Sequence, residues 1–192
     1  MKTSTWGGVA LLAAVAVPIH AQESHGLSGR DVAVYNLAGS VEVVRGSGSD
    51  VVVTIDRRGS DASELGIDIR EVDGREALIV RYPSDEIVYD RGGRGNYSTN
   101  IRVRSDGTWG GGMNRGDRVR VRSSGNGLEA HADLRIEVPE GRNLEVFLAV
   151  GEADARGVRG DLDIDIGAGR ATVDDVVGDV SVDTGSGGVL VS

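Results

Sequence analysis

The sequence predicts an all-β fold, in which an irregular N-terminal β-sheet region is followed by a short β-solenoid with 18-residue coils. The first observation is a repeat that aligns without gaps between residues 142 and 192. The second is that apolar residues occupy alternate positions in each copy, with Gly151, Gly169 and Gly187 in one column. A short fixed period with this alternation is typical of stacked β-coils. The third is that only 4% of the residues are aromatic, which suits narrow coils filled by small branched side chains.

The first 21 residues are predicted to be a secretory signal. Lys2 supplies a positive charge, residues 9–17 form an apolar run, and Ile19-His20-Ala21 supplies a cleavage site. No other run approaches the ~20 apolar residues of a spanning helix, so we expect an exported protein without a transmembrane segment. Residues 22–30 are expected to be a flexible N-terminus. The absence of cysteine excludes disulfides, thiolate metal sites and a lipid-modified cysteine.

Residues 31–140 are predicted to form the irregular sheet region. Short β-branched runs separated by glycine-rich turns predict strands, at 31–37, 40–45, 50–56, 66–72, 76–82, 118–122 and 132–138. The composition changes at about 90–116, where glycine and arginine are abundant. This insertion is expected to be a long loop, or a hairpin with a flexible tip.

Residues 142–192 are predicted to form the solenoid. In 161–166 the alternation is strict, so Leu162, Ile164 and Ile166 should face inward and the intervening aspartates outward. The sequence stops partway through its third copy of the repeat, and we therefore expect an incomplete solenoid.

Residues 34–44 (VYNLAGSVEVV) and 162–169 (LDIDIGAG), with 176–180 (VVGDV), resemble a family of exported bacterial proteins of unknown function, the "putative adhesins" of β-solenoid type. The resemblance covers most of the chain after the signal, but the insertion at 90–116 has no counterpart in it. It implies a β-rich surface or periplasmic protein, and it identifies no site residues.

The distribution of charge gives the main functional hint. The chain carries 30 acidic against 21 basic residues, a net charge of −9, which argues against nucleic acid as a partner. Between residues 91 and 122, however, there are eight arginines and two aspartates. Arginine forks beside aromatic rings suit an acidic glycan, a surface protein, or the acidic solenoid of a second copy. The candidate binding residues are Arg91, Arg94, Tyr97, Arg102, Arg104, Trp109 and Arg115. The alternative is a solvated hairpin, with Arg118, Arg120 and Arg122 as the outward half of a strand.

Stacking of the copies should place acidic residues in columns about 4.8 Å apart. Asp161 would lie over Asp179 and Asp165 over Asp183, so that these four, with Asp163, are weak candidates for calcium ligands. Where a calcium-binding β-roll carries its ligand aspartate, this chain has Thr172 and Leu190. We therefore predict a solvated acidic face, no metal and no cofactor.

These observations predict a non-enzymatic, adhesin-like interaction module that is periplasmic, cell-surface or extracellular. It would present a rigid β-solenoid surface for self-association or for a glycan or protein partner. Two alternatives stay open. One is a carbohydrate-active enzyme on a β-helix, which would use paired carboxylates, and the other is a calcium-dependent β-roll.

Overall fold

The computed structural model describes residues 22–90, 96–110 and 115–192. The predicted signal, Arg91 and Arg94 lie outside these residues. The described chain is all-β, as the sequence predicts, with one 3-10 turn at Ala62–Glu64 and no α-helix in these ranges. No helix among the described residues is long and apolar enough to cross a membrane.

The twelve strands in the described ranges are β1 (Glu23–Leu27), β2 (Asp31–Arg45), β3 (Val51–Arg58), β4 (Gly66–Val72), β5 (Arg75–Arg81), β6 (Glu86–Val88), β7 (Ser98–Val103), β8 (Asp117–Arg122), β9 (His131–Val138), β10 (Asn143–Arg156), β11 (Leu162–Asp174) and β12 (Val180–Val191). They form two open sheets. The large sheet has the order β1-β3-β9-β2-β10-β11-β12, with β5 also paired to β2 and β4 to β5. The small sheet has the order β6-β8-β7.

Strands β2, β10, β11 and β12 pair in parallel, and we call these four strands the ladder. Leu144 is the partner of Leu162, and Leu162 the partner of Val180, so each strand is displaced from the last by one repeat. The columns predicted from the repeat are thus confirmed as direct neighbours. On the other side β10 pairs with β2, where Val32 is the partner of Leu144. The large sheet therefore continues across the boundary drawn from the sequence at 140–142.

Two predicted strands, 31–37 and 40–45, are a single 15-residue strand that passes through Gly39. Gly39 has a φ of +137°, and a Cβ built on it would lie 1.9 Å from the carbonyl oxygen of Ala132. Before Gly39 the strand pairs with β5, and after it with β9. The glycine that predicted a turn instead lets the strand change partners.

The N-terminal segment and the insertion also differ from expectation. Residues 23–27, expected to be flexible, form β1, and every residue of β1 pairs with β3. Leu27 at the end of β1 is also buried in the core. Within the insertion, 98–103 forms β7, which pairs antiparallel with β8. Ordinary strand pairing therefore organises part of a segment whose composition predicted a loop.

Two clusters of buried apolar side chains hold the sheets together. One fills the large sheet and includes the inward residues of the ladder, such as Leu144, Leu162 and Ile164. The other lies between the ladder and the small sheet, and joins Tyr35, Phe147 and Trp109 to the inner face of β8. Burial of this apolar surface fixes the small sheet against the ladder of its own chain.

Candidate anion-binding site

Pairing of β7 with β8 aligns the basic residues on one surface. Arg102 is the direct partner of Arg118, and Arg120 and Arg122 follow at alternate positions of β8. Residues between them, Val119 and Val121, are buried against the ladder. Because successive side chains of a strand point to opposite faces, the four arginines share the outer face of the small sheet. We call Arg102, Arg118, Arg120 and Arg122 the arginine face.

One carboxylate compensates part of this charge. The Glu86 carboxylate on β6 forms ion pairs with Arg120 Nη1 and with Arg122 Nη2, both at 3.2 Å. Arg102 Nη1 donates only to the carbonyl oxygen of Gly116, at 3.2 Å. No carboxylate within the described ranges forms an ion pair with Arg102 or Arg118, although the two are cross-strand partners. Like charges placed directly opposite destabilise a sheet, and an anion bound between them would remove that repulsion.

The predicted binding residues are only partly brought together. Arg102 lies on the arginine face, and Arg115 is exposed just before β8. Arg104 points away from this face: its Nη1 donates to Thr108 Oγ1 at 2.9 Å and its Nη2 to the Gly110 carbonyl at 3.1 Å, which fixes the turn after β7. Tyr97 is half-buried, and its hydroxyl donates to the carbonyl oxygen of Tyr89.

Trp109, which the sequence grouped with these arginines, lies in the core. It is only 5% exposed, and its ring packs edge-on against Phe147 at a centroid distance of 5.8 Å. Phe147 in turn stacks on Tyr35 at 4.4 Å. Because this large ring is buried against Phe147, Trp109 anchors the small sheet and offers no ring face to a ligand.

The sequence places the arginines of β8 in the basic segment, but assigns them to the outward half of a strand and not to the candidate binding residues. Their alternation with Val119 and Val121 was the available signal. The strand that pairs with β8 is not predicted from the sequence. It is β7, at residues 98–103, and it lies inside the glycine-rich insertion. The cross-strand pair of Arg102 and Arg118 exists only in that register.

The first predicted acidic column, Asp161 and Asp179, forms hydrogen bonds between neighbouring strands of the ladder. Asp179 N–H donates to Asp161 Oδ1 at 3.0 Å, and Asp161 N–H donates to Asn143 Oδ1 at 3.1 Å. Asn143 Nδ2 donates to Asp31 Oδ1 at 2.7 Å. Each strand start is thus linked to the next by a side-chain oxygen. Among the described residues, no three His, Cys, Asp or Glu side chains are grouped closely enough to hold a metal ion.

A shallow groove of about 320 Å³ runs beside this column and is lined by several acids, with Arg75 at one side. Glu145 is held there by an ion pair with Arg75 at 3.1 Å, and Asp163 is the direct partner of Glu145 on β11. All these carboxylates stand on one surface of the same strands.

The second acidic column is unfavourable at neutral pH. Asp165 is half-buried and is the direct partner of Asp183. Burial raises the pKa of the Asp165 carboxyl above its ordinary value of 3.8, and the charges of Asp183 and Asp163 raise it further. Burial likewise raises the pKa of Glu145, against the opposing effect of Arg75.

We expect Asp165→Asn to stabilise the protein at pH 7. A carboxyl whose pKa is higher in the folded state binds more protons there than in the unfolded state, so its contribution is present at low pH and is lost as pH rises through the folded pKa. The gain should be up to about 1 kcal/mol, the usual size of a cross-strand charge effect. Urea unfolding should show it at pH 7 and show none below pH 3.8, the ordinary value. Asp117→Asn, at an exposed strand end, is the control. A less stable variant at pH 7 would contradict this account.

Comparison with known proteins adds little. No protein-family model matches the chain, and no curated protein matches it. One solved structure is similar, described as a "putative cell adhesion protein" from Clostridium sporogenes ATCC 15579. It is 9% identical, covers 89% of this chain and 98% of its own, and has a TM-score of 0.41.

Proposed function

We propose that this protein is a non-enzymatic, exported, adhesin-like interaction module whose arginine face binds an acidic glycan. The observation that carries the proposal is the cross-strand pair of Arg102 and Arg118, which is exposed and has no carboxylate partner among the described residues. Guanidinium groups bind carboxylates and sulfates through two parallel hydrogen bonds. Two such groups side by side on a flat sheet suit a polymer with repeated negative charges.

The scaffold that presents this face is, we propose, a short β-solenoid with 18-residue coils. The constant offset of one repeat from β10 to β12 supports it, as do the side-chain hydrogen bonds that link successive strand starts. The small sheet is fixed to this scaffold by a buried aromatic cluster. A face that is rigid before binding loses little conformational entropy when a ligand attaches.

The arginine face should bind polygalacturonate more tightly than neutral dextran, and binding should weaken as salt is added. Arg102→Gln with Arg118→Gln should reduce the affinity about tenfold or more, since hydrogen bonds to charged groups contribute about 1.5–3 kcal/mol each. The matched control is Arg30→Gln with Arg156→Gln, which removes the same charge from exposed positions outside the small sheet. Equal loss of affinity in both double variants would show that only the net charge of the protein matters, and would contradict the proposal.

A second candidate function is self-association through β12. This strand is at the edge of the large sheet, and Leu190 and Val191 on it are 60% and 55% exposed. Unpaired strand edges are templates for pairing with another chain. Sedimentation velocity separates the possibilities: apolar edge pairing of two copies persists in high salt, whereas contact of the arginine face with a neighbour's acidic ladder dissociates.

A further inference from the structure

A groove of about 640 Å³ lies next to the arginine face, between the start of β7 and the part of the ladder formed by Glu152, residues 168–170 and residues 186–188. Tyr97, Ser98 and Thr99 form one wall. Glu152 and Arg170, which are direct partners on β10 and β11, lie on the other. The groove meets the arginine face at Ser98, because Ser98 is the cross-strand partner of Arg122.

The groove combines an aromatic ring with polar groups of both kinds. The Tyr97 ring is held in place by its hydroxyl, which donates to the Tyr89 carbonyl, and by its backbone N–H, which donates to Ser123 Oγ at 3.3 Å. Ser98, Thr99 and Ser186 add hydroxyl groups. An amphipathic ring beside several hydrogen-bonding groups is suited to a sugar, which has an apolar C–H face and a rim of hydroxyls.

Arg170 is the basic group of the groove, and Glu152 beside it is the acidic one. Arg170 is exposed on β11, and no hydrogen bond or ion pair engages its guanidinium within the described part of the chain. A free guanidinium at the side of a groove is a donor for a carboxylate. A sugar that carries a carboxylate would therefore use both Arg170 and the Tyr97 ring.

Gly188 keeps this groove open, and the fold does not require a glycine there. It is the direct partner of Arg170 on β12. A Cβ built on Gly188 would have no atom within 4 Å, and its φ is not in the left-handed region. The preceding Gly187 is different, since its Cβ would lie 1.5 Å from the carbonyl oxygen of Gly169. A side chain at 188 would thus enter the groove without disturbing the sheet.

We infer that this groove binds one uronic acid residue of the glycan, with its carboxylate on Arg170 and its ring against Tyr97. The inference rests on the proposed function, because the rest of the polymer would continue from Ser98 across the arginine face. It adds a subsite that recognises an individual acidic sugar, whereas the arginine face responds to repeated charge.

The test uses two probes with the protein as exported. Digalacturonate would place one residue in the groove and the other at Ser98, short of Arg102 and Arg118, whereas polygalacturonate also reaches that arginine pair. Gly188→Leu and Arg170→Gln should each lower the affinity for digalacturonate at least about tenfold, the effect expected for one charge-assisted contact. Arg102→Gln with Arg118→Gln should leave digalacturonate binding unchanged and weaken only polygalacturonate. Gly48→Leu is the matched control, since a Cβ there meets only one atom, at 4.0 Å.

The inference would be overturned if the protein did not bind digalacturonate. It would also be overturned if Gly188→Leu and Arg170→Gln both bound digalacturonate as tightly as the unchanged protein. Loss of digalacturonate binding in the groove variants, with polygalacturonate unaffected by the two arginine changes, would instead overturn the proposed role of the arginine face. Melting temperatures of all variants show whether each is folded. If Gly188→Leu does not fold, Arg170→Gln decides the question, because it changes an exposed side chain that forms no hydrogen bond or ion pair among the described residues.

Discussion

Replacing Gly169 by alanine is expected to lower the free energy of unfolding by about 3 kcal/mol or more, placing it among the severe point substitutions. A Cβ at this position would lie 1.7 Å from the carbonyl oxygen of Gly151 on the neighbouring strand. That oxygen belongs to the backbone, so relief requires the two central ladder strands to separate. The lost pairing would extend to both sides, because β11 is bonded to β10 and to β12.

Urea unfolding followed by circular dichroism measures this effect. Gly188→Ala is the matched control, since it adds the same methyl group to the adjacent strand in open space and should change stability by less than about 0.5 kcal/mol. Similar stability for the two variants would show that the ladder strands are not in this close contact. The result would also bear on the scaffold proposed for the arginine face.

Phe147→Ala is expected to cost about 3–5 kcal/mol, the usual range for a buried phenylalanine. Its ring stacks on Tyr35 and contacts the edge of Trp109, so it joins the ladder to the small sheet. We expect the small sheet to loosen before the ladder unfolds, because within the described residues β6–β8–β7 has no strand pairing with the large sheet. Polygalacturonate binding should weaken with it, since the arginine face moves with that sheet.

Trp109 gives a direct measurement of this loosening. In the chain from residue 22 onward it is the only tryptophan, because Trp6 lies in the predicted signal. Its emission should move to longer wavelength in Phe147→Ala as the buried ring meets water. Phe147→Leu, which keeps an apolar side chain, should show a smaller shift. Unchanged emission in the alanine variant would mean that the small sheet is held by other contacts.

The repeat predicted the register of β10, β11 and β12 because each of these strands is one repeat away from the next. It did not reveal that β2 belongs beside them. Val32 pairs with Leu144, and the separation of these two residues in the sequence is not a multiple of the repeat. This pairing depends on how strands β3 to β9, which lie between β2 and β10 in the sequence, are arranged. The period of the repeat carries no information about that arrangement.

The sequence predicts which residue types form the candidate site, but it does not predict how these residues are arranged. An excess of arginine in the insertion indicated an anion site, and Arg102 is part of the face that the structure presents. Arg104 and Trp109 have the same composition signal but serve the turn and the core. Whether a polar or aromatic side chain points outward depends on the strand register, which a glycine-rich sequence specifies weakly.

The pairing of β2 with β10 joins strands that are far apart in the sequence, and this separation bears on the order of folding. Contacts between β10 and β11 close a loop of one repeat, whereas the β2–β10 contacts close a much longer one. The longer closure costs about 1.6 kcal/mol more in chain entropy, since each doubling of a loop adds about 0.6 kcal/mol and this loop is roughly six times as long. We therefore expect β10, β11 and β12 to pair first and β2 to pair with β10 afterwards. Until then β2 would be without its neighbour on the β10 side, and we expect this long-range pairing to be the slower step of folding.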